Sequence, residues 1–223
     1  MKKTESSVYE ILREKITNLD YKPGEELNVN TLIEELEVSR SPIRDALLRL
    51  SLDKLVDIFP QKGTRVAFLD KNIIAQERFM RINLELGVLK KFMEIQKRDN
   101  KAEIFGAELQ AILLQQHASL MGGSKKSFLE SDDNLHYFFY RHSDNQWIWD
   151  VINSHTGNDH RIRILSYNAK NISDNVEAEH SALVKAIREG NVEEAVKIDE
   201  AHLMQLTTVV DSLINDYPEY FSK

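Results

Sequence analysis

Residues 23–66 read PGEELNVNTLIEELEVSRSPIRDALLRLSLDKLVDIFPQKGTRV, and the fold of the N-terminal third turns on this stretch. Lys22-Pro23-Gly24 stops whatever helix precedes it. A short helix is predicted over Val29–Leu36, a tight turn over Glu37-Val38-Ser39, and a second helix over Arg40–Asp53. Pro42 is tolerated because it falls in the first helical turn, where its missing N–H is not needed. Leu32, Ile33, Leu36, Val38, Ile43, Ala46, Leu47 and Leu50 are spaced so that the two helices can pack on each other. Two runs of strand character, Leu55–Phe59 and Thr64–Phe68, flank Pro60-Gln61-Lys62-Gly63, which reads as a hairpin turn.

Working outward, Val8, Ile11, Leu12, Lys15 and Ile16 mark one face of a first helix from Val8 to about Leu19, with Ser7 and Glu10 at capping-box spacing. The order is helix, helix, helix, hairpin: a winged helix-turn-helix. Two short helices joined by a turn of three or four residues are the shape that lays a helix in the DNA major groove. The N-terminal half of such a helix meets base edges, and here it carries Ser39, Arg40, Ser41, Arg44 and Asp45. The planar fork of arginine pairs bidentately with guanine, and the serine hydroxyls with helix N-terminal amides suit phosphate. Lys62 and Gly63 at the hairpin tip can reach an adjacent minor groove. Arg40, Arg44, Arg49, Lys54, Lys62 and Arg65 crowd this region against Asp45, Asp53 and Asp57. The expected DNA-binding set is therefore Ser39, Arg40, Ser41, Arg44, Arg49, Lys62 and Gly63.

The whole chain has 223 residues, 42% hydrophobic, with a net charge of −7. That length fits two domains, expected at residues 1–70 and 71–223. The overall acidity runs against nucleic-acid binding, but the local distribution decides that question. No run approaches the roughly 18 apolar residues of a membrane helix, and the N-terminus lacks the apolar core of a secretion signal. There is no cysteine, which excludes disulfides and thiolate metal sites and fits a cytoplasmic location.

From Lys71 to Asp216 there is no proline, which suits an all-helical domain. Helices are predicted near 72–98, 101–121, 125–142, 145–154, 158–168, 174–189 and 192–215. Gly122-Gly123 ends one of them, Ser143-Asp144-Asn145 separates two more, and Gly190-Asn191 with Glu194 makes a C-cap followed by a restart.

Seven histidines are present, and spacing selects three of them. Asp132 and His136 are four apart on one predicted helix and project from one face. His180 and His202 are equidistant from the turn at residue 191. If the flanking helices fold back antiparallel, the two rings meet roughly 16 Å from the tip, at 1.5 Å of rise per residue. Three imidazoles and a carboxylate make a site for a divalent transition metal: zinc, nickel, iron(II) or manganese. Positions left open on an octahedral ion can take water or the carboxylate of a small acid.

The run 23–66 resembles the winged-helix domain of GntR-family regulators. The residues that carry the likeness are Pro23-Gly24, Leu27, Ser39-Arg40-Ser41-Pro42-Ile43-Arg44, Ala46-Leu47, Leu50, Leu55-Val56, Gly63 and Val66. The resemblance implies that Ser39, Arg40, Ser41, Arg44 and the wing glycine contact DNA. The sequence departs from the family pattern at Asp53-Lys54, where an acidic residue and glycine are usual, and at Asn30. Arg81 with Glu85, Asp132 with His136, Glu179-His180 and His202 are similar to the FCD ligand-binding domain of the FadR subfamily. That likeness implies an all-α bundle, a homodimer, a metal on Asp132, His136, His180 and His202, and a carboxylate-bearing effector.

Arg81, Arg161 and Arg163 are candidate partners for the effector carboxylate. The resulting expectation is a mainly α, metabolite-responsive regulator, a repressor, that binds an inverted-repeat operator and is neither an enzyme nor membrane-bound. Two alternatives stay open on the residues alone. The helical domain is a purely structural dimerisation bundle, or it is a metal-dependent enzyme fused to the head. The enzyme reading lacks a general base, since Glu179 is expected on a different helix face from His180.

Overall fold

The computed structural model describes residues 5–167 and 172–222, and only the backbone of 5–7 and 172–174. Helix α1 (Glu5–Thr17) is followed by α2 (Val29–Leu36), α3 (Arg40–Leu52) and the antiparallel strands β1 (Val56–Phe59) and β2 (Gly63–Val66). Then come α4 (Lys71–Arg98), α5 (Ala102–Met121), α6 (Lys125–His142), α7 (Gln146–His155) and α8 (Gly157–Tyr167). Helices α9 (Ile172–Arg188) and α10 (Val192–Asp216) and a 3-10 turn (Pro218–Tyr220) complete the described chain. Among the described residues the two strands are the only sheet, and the fold is mainly α, as the periodicity predicts. The expected end of the eighth helix at residue 168 lies outside the described residues. Helix α1 starts at Glu5, so Ser7 lies inside it rather than at its cap.

Packing divides the chain into two units. The first comprises Met1–Arg78, Asn153–Leu165 and Val209–Lys223; the second comprises Phe79–Ile152 and Ser166–Thr208. The first unit is built on the head. Val8, Leu12, Ile16, Leu32, Leu36, Ile43, Ala46, Leu47, Leu50, Leu55 and Val66 form its core. Asn28 caps α2, its side chain accepting from the N–H groups of Asn30 and Thr31. Register pairs Val56 with Val66 and Phe59 with Gly63. Gly63, at φ +101°, takes the left-handed turn that a side chain would strain.

Residues distant in sequence join this unit for identifiable reasons. Gly157 lies so close to Leu55 that a Cβ there would sit 2.8 Å from its Cδ2. The fully buried Arg161 donates to the Ala67 carbonyl at 2.6 Å. Leu69 bonds main chain to main chain with Tyr220 and Ser222, at 2.9 and 2.8 Å. Arg78 pairs with Asp159, and Glu77 accepts from Asn158 and from the Asp159 amide.

The second unit is a helical bundle around Phe92, Phe105, Phe138 and Phe139, whose ring centroids stand 5.4 to 5.7 Å apart. Burying each such ring contributes about 1.5–3 kcal/mol. Leu89, Leu109, Leu183 and Ile187 extend this core. Gly190 takes φ +68° after α9, and the Asn191 side chain accepts from the Glu194 amide at 3.1 Å. Helices α9 and α10 therefore form the hairpin that the Gly190-Asn191 signal predicts.

Candidate metal centre and nucleic-acid interface

The N-cap of α3 is Ser39, at φ −75° and ψ 170°, and its hydroxyl makes no capping bond. The first-turn amides of α3 are thus left for an outside acceptor, which is how helix N-termini hold phosphate. Ser39, Arg40, Ser41 and Arg44 are all exposed. Arg40 donates to Asn30 Oδ1 at 2.5 Å, and Ser41 donates to Asp45 at 3.2 Å. Leu48 stands 57% exposed on the same helix.

Arg49 is also exposed, but it lies nine residues beyond Arg40. At about 100° per residue that is the opposite side of α3. Its guanidinium lies 3.9 Å from the centre of the Tyr9 ring, and the Tyr9 hydroxyl donates to Asp53 at 2.6 Å. The structure therefore groups Ser39, Arg40, Ser41 and Arg44 and sets Arg49 apart. Lys62, in the turn between β1 and β2, and Gly63, the first residue of β2, are exposed, and nothing lies within 4 Å of where a Gly63 Cβ would be.

In the second unit, Asp132 and His136 project from one face of α6, His180 from α9 and His202 from α10. One donor atom from each lies within 4.8 Å of every other. Donors on one ion with bonds of about 2.1 Å stand about 3 Å apart when adjacent and about 4 Å when opposite. His180 Nε2 is 3.3 Å from His202 Nε2 and 3.6 Å from Asp132 Oδ1. His136 Nε2 is fully buried with no hydrogen-bond partner among the described residues, and its ring lies 5.3 Å from the other two. An orphaned ring nitrogen beside two others and a carboxylate is the donor set that a divalent ion satisfies.

The outer nitrogens are held by three separate groups. His180 Nδ1 is 2.9 Å from Gln116 Oε1, His202 Nδ1 is 2.8 Å from Glu179 Oε2, and His136 Nδ1 abuts the Glu85 carboxylate. Each contact fixes the proton on Nδ1 and turns Nε2 inward, the usual outer support of a metal-binding histidine. Burial, helped by His202, pushes His180 well below its ordinary pKa, and burial likewise lowers His202. Burial would lower His136 too, but the Glu85 carboxylate outweighs it and holds that imidazole up.

Comparison with known proteins identifies both halves. Residues 4–66 match the model described as bacterial regulatory proteins, gntR family, and residues 79–205, more than half the chain, match the FCD domain. The chain belongs to the GntR family of transcription regulators, with an FCD domain. It is 23% identical over 216 residues to the HTH-type transcriptional repressor RspR of Escherichia coli, covering 97% of this chain and 92% of that one. It is 28% identical over 222 residues to an HTH-type regulator from an unstable DNA locus of Streptomyces ambofaciens, covering 96% and 88%. Among solved structures, E. coli McbR/YncC superposes with a TM-score of 0.75 at 21% identity, covering 96% of this chain and 98% of that one. A GntR regulator from Rhodococcus gives the same TM-score at 17% identity, with the same coverage. These relatives are regulators, not enzymes.

The three arginines read as effector partners in this GntR chain do not all belong to one unit. Arg81 is buried on α4, its Nε 3.3 Å from Glu85 Oε2, in the same unit as the four donors. Arg161 and Arg163 belong to the first unit. Arg161 is fully buried and bonded to Ala67 and Asn158, and burial lowers its pKa to about 10. Arg163 is half-buried on α8.

Sequence reasoning missed Gln116, Asp199 and the role of Glu179. Glu179, expected on a different helix face from His180, reaches across the hairpin to the outer nitrogen of His202 and to Gln205. A signal was available, because position 179 lies only one residue from the mirror position of 202 about the turn. Asp199 is fully buried on α10, 3.9 Å from His136 Nδ1, and neither carboxylate oxygen has a hydrogen-bond partner among the described residues. Burial and the Glu85 charge raise its pKa. No described helix is long and apolar enough to cross a membrane.

Proposed function

We propose that this GntR regulator is a cytoplasmic, homodimeric, metabolite-responsive repressor. Its domains divide near residue 70, as the motif reading has it. Residues 1–70 grip an inverted-repeat operator through Ser39, Arg40, Ser41, Arg44 and the wing residues Lys62 and Gly63. Residues 71–223 hold a divalent ion, zinc, nickel, iron or manganese, on Asp132, His136, His180 and His202. The ion supplies a Lewis-acidic position for the carboxylate of a small organic acid, with Arg81 the best placed of the three arginines to assist. RspR, which matches over nearly its whole length, is named a repressor, and this supports the direction of control.

The observation that carries the metal reading is the buried, partnerless Nε2 of His136 facing two imidazoles whose outer nitrogens are already engaged. Three imidazoles buried this way cost solvation and return little unless something binds them. The deciding experiment is elemental analysis of protein purified without chelator, beside His180→Ala, with gel shifts on promoter DNA from its own gene neighbourhood. About one equivalent of metal per chain in the native protein, lost together with thermal stability in the variant, is expected. Equal metal content in both proteins would defeat the ligand assignment, and no specific shift on any such fragment would defeat the operator reading.

A further inference from the structure

We propose that Asp199 determines specificity in the effector site, and that the effector is a small zwitterion, a carboxylic acid that also bears an ammonium group donating to Asp199. This inference rests on the acid-binding reading above. Asp199 lies one turn before His202 on α10, on the same helix face. It is fully buried with both oxygens bare. The donors described beside it point at its neighbour Glu85: Arg81 Nε at 3.3 Å, the Tyr140 hydroxyl at 3.5 Å and the His136 Nδ1 side. A buried carboxylate with no donor is costly, and a folded protein keeps one only where something completes it.

Two other completions are weaker. Glu85, His136 and Asp199 also bring donor atoms within 4.8 Å of one another, the spacing of a second metal site. His136 Nδ1, however, is already turned to Glu85, and its proton leaves no lone pair there for a second metal. A proton alone would neutralise Asp199 but leave its remaining acceptor capacity unused.

Charge favours ammonium over hydroxyl. Among the described buried charges here, Asp132, Glu85 and Asp199 set three carboxylates against the guanidinium of Arg81, while Glu179 on His202 is partly open to solvent and screened. A divalent ion on the four donors cancels the remaining two negative charges. An incoming carboxylate then unbalances the interior by one charge, and a ligand carrying its own cation restores neutrality.

The test uses full-length, zinc-loaded protein in thermal-shift and calorimetric titrations with the twenty common L-amino acids and their des-amino acids. At least one amino acid is expected to raise Tm where its des-amino counterpart does not. Asp199→Asn should weaken that binding roughly 10- to 100-fold while zinc content stays the same; Asp199→Ser serves as a second variant should the first misfold. Acids that bind equally well with and without the amino group, or amino-acid binding untouched by both variants, overturn the inference and leave the effector site standing. Two zinc ions per chain, one of them lost in the variant, overturn it in favour of a second metal. Silence from every acid removes the acid-binding reading and this inference with it.

Discussion

Gln116 offers the sharpest test of how the metal centre is held. Its side chain is fully buried on α5, and Oε1 accepts the Nδ1 proton of His180 at 2.9 Å. In Gln116→Leu that N–H loses its acceptor, which costs about 1–3 kcal/mol for a buried donor. Part of this returns, because the Gln116 amide nitrogen is itself buried without a partner and leaves with the side chain. The net loss of apo stability is therefore about 0–2 kcal/mol. The effect on metal is larger relative to its baseline, because His180 is free to turn Nε2 away. Outer-shell substitutions of this kind typically weaken metal binding about 10- to 100-fold. Gln116→Glu moves the other way: a carboxylate on Nδ1 makes the imidazole a stronger donor, so affinity holds or rises while the apo protein, burying another charge, loses stability. Zinc competition against a chromogenic chelator reads the affinities, and urea unfolding of apo protein reads the stabilities. If the Leu variant held zinc as tightly as the native chain, or both variants weakened it equally, the support assigned to Gln116 would be wrong.

Lys54 occupies φ +60° just after α3, a left-handed conformation that favours glycine. Lys54→Gly should relieve the left-handed strain and stabilise the head by about 1 kcal/mol in thermal unfolding, since a bulky residue costs roughly that much there. Arg44→Ala should weaken operator binding by about 1–3 kcal/mol if Arg44 reads a base. Arg49→Ala should instead lower stability through loss of the Tyr9 stack and leave sequence preference unchanged in competition gel shifts. Acidification should release the metal. His180 and His202 fall below their ordinary pKa on folding, so the unfolded chain takes up protons first as pH drops below about 6.5. Their contribution to stability is present above that pH and lost below it, while His136, held up by Glu85, softens the slope. Metal content measured from pH 7.5 to 5 should decline through this range; constant occupancy down to pH 5 would contradict it.

Much of this architecture was readable because it follows local rules. Helical period, the absence of proline after Lys71 and the Gly190-Asn191 turn place the helices of the second unit within a few residues. The hairpin is the instructive case. A turn fixes which residues of two antiparallel helices face each other, so His180 and His202 can be paired by counting, and Glu179 falls one residue off that count, beside the same ring. Gln116 cannot be found that way. Helix α5 meets α9 through packing between whole faces, and nothing in the spacing of a lone glutamine says which neighbour will occupy it. Arg161 resists for a related reason. Its helix shows no clear polar side, and only the approach of Gly157 to Leu55 brings the guanidinium against the Ala67 carbonyl.

Asp199 shows where sequence reading misleads most usefully. In the run Lys197-Ile198-Asp199-Glu200 an aspartate reads as part of the solvated face, because acids are almost never fully buried unless paired. Yet three residues before an inward-facing histidine is an inward position too. Helical geometry and residue chemistry thus make opposite demands at residue 199, and the structure follows the geometry. Such a conflict persists in a folded protein where the buried group has work to do, since an apolar residue at the same position would be cheaper. The same reasoning separates Asp199 from Glu85, whose carboxylate is buried as deeply but is met by Arg81, Tyr140 and His136. Glu85 is completed within the chain, and Asp199 is the carboxylate that asks for something from outside it.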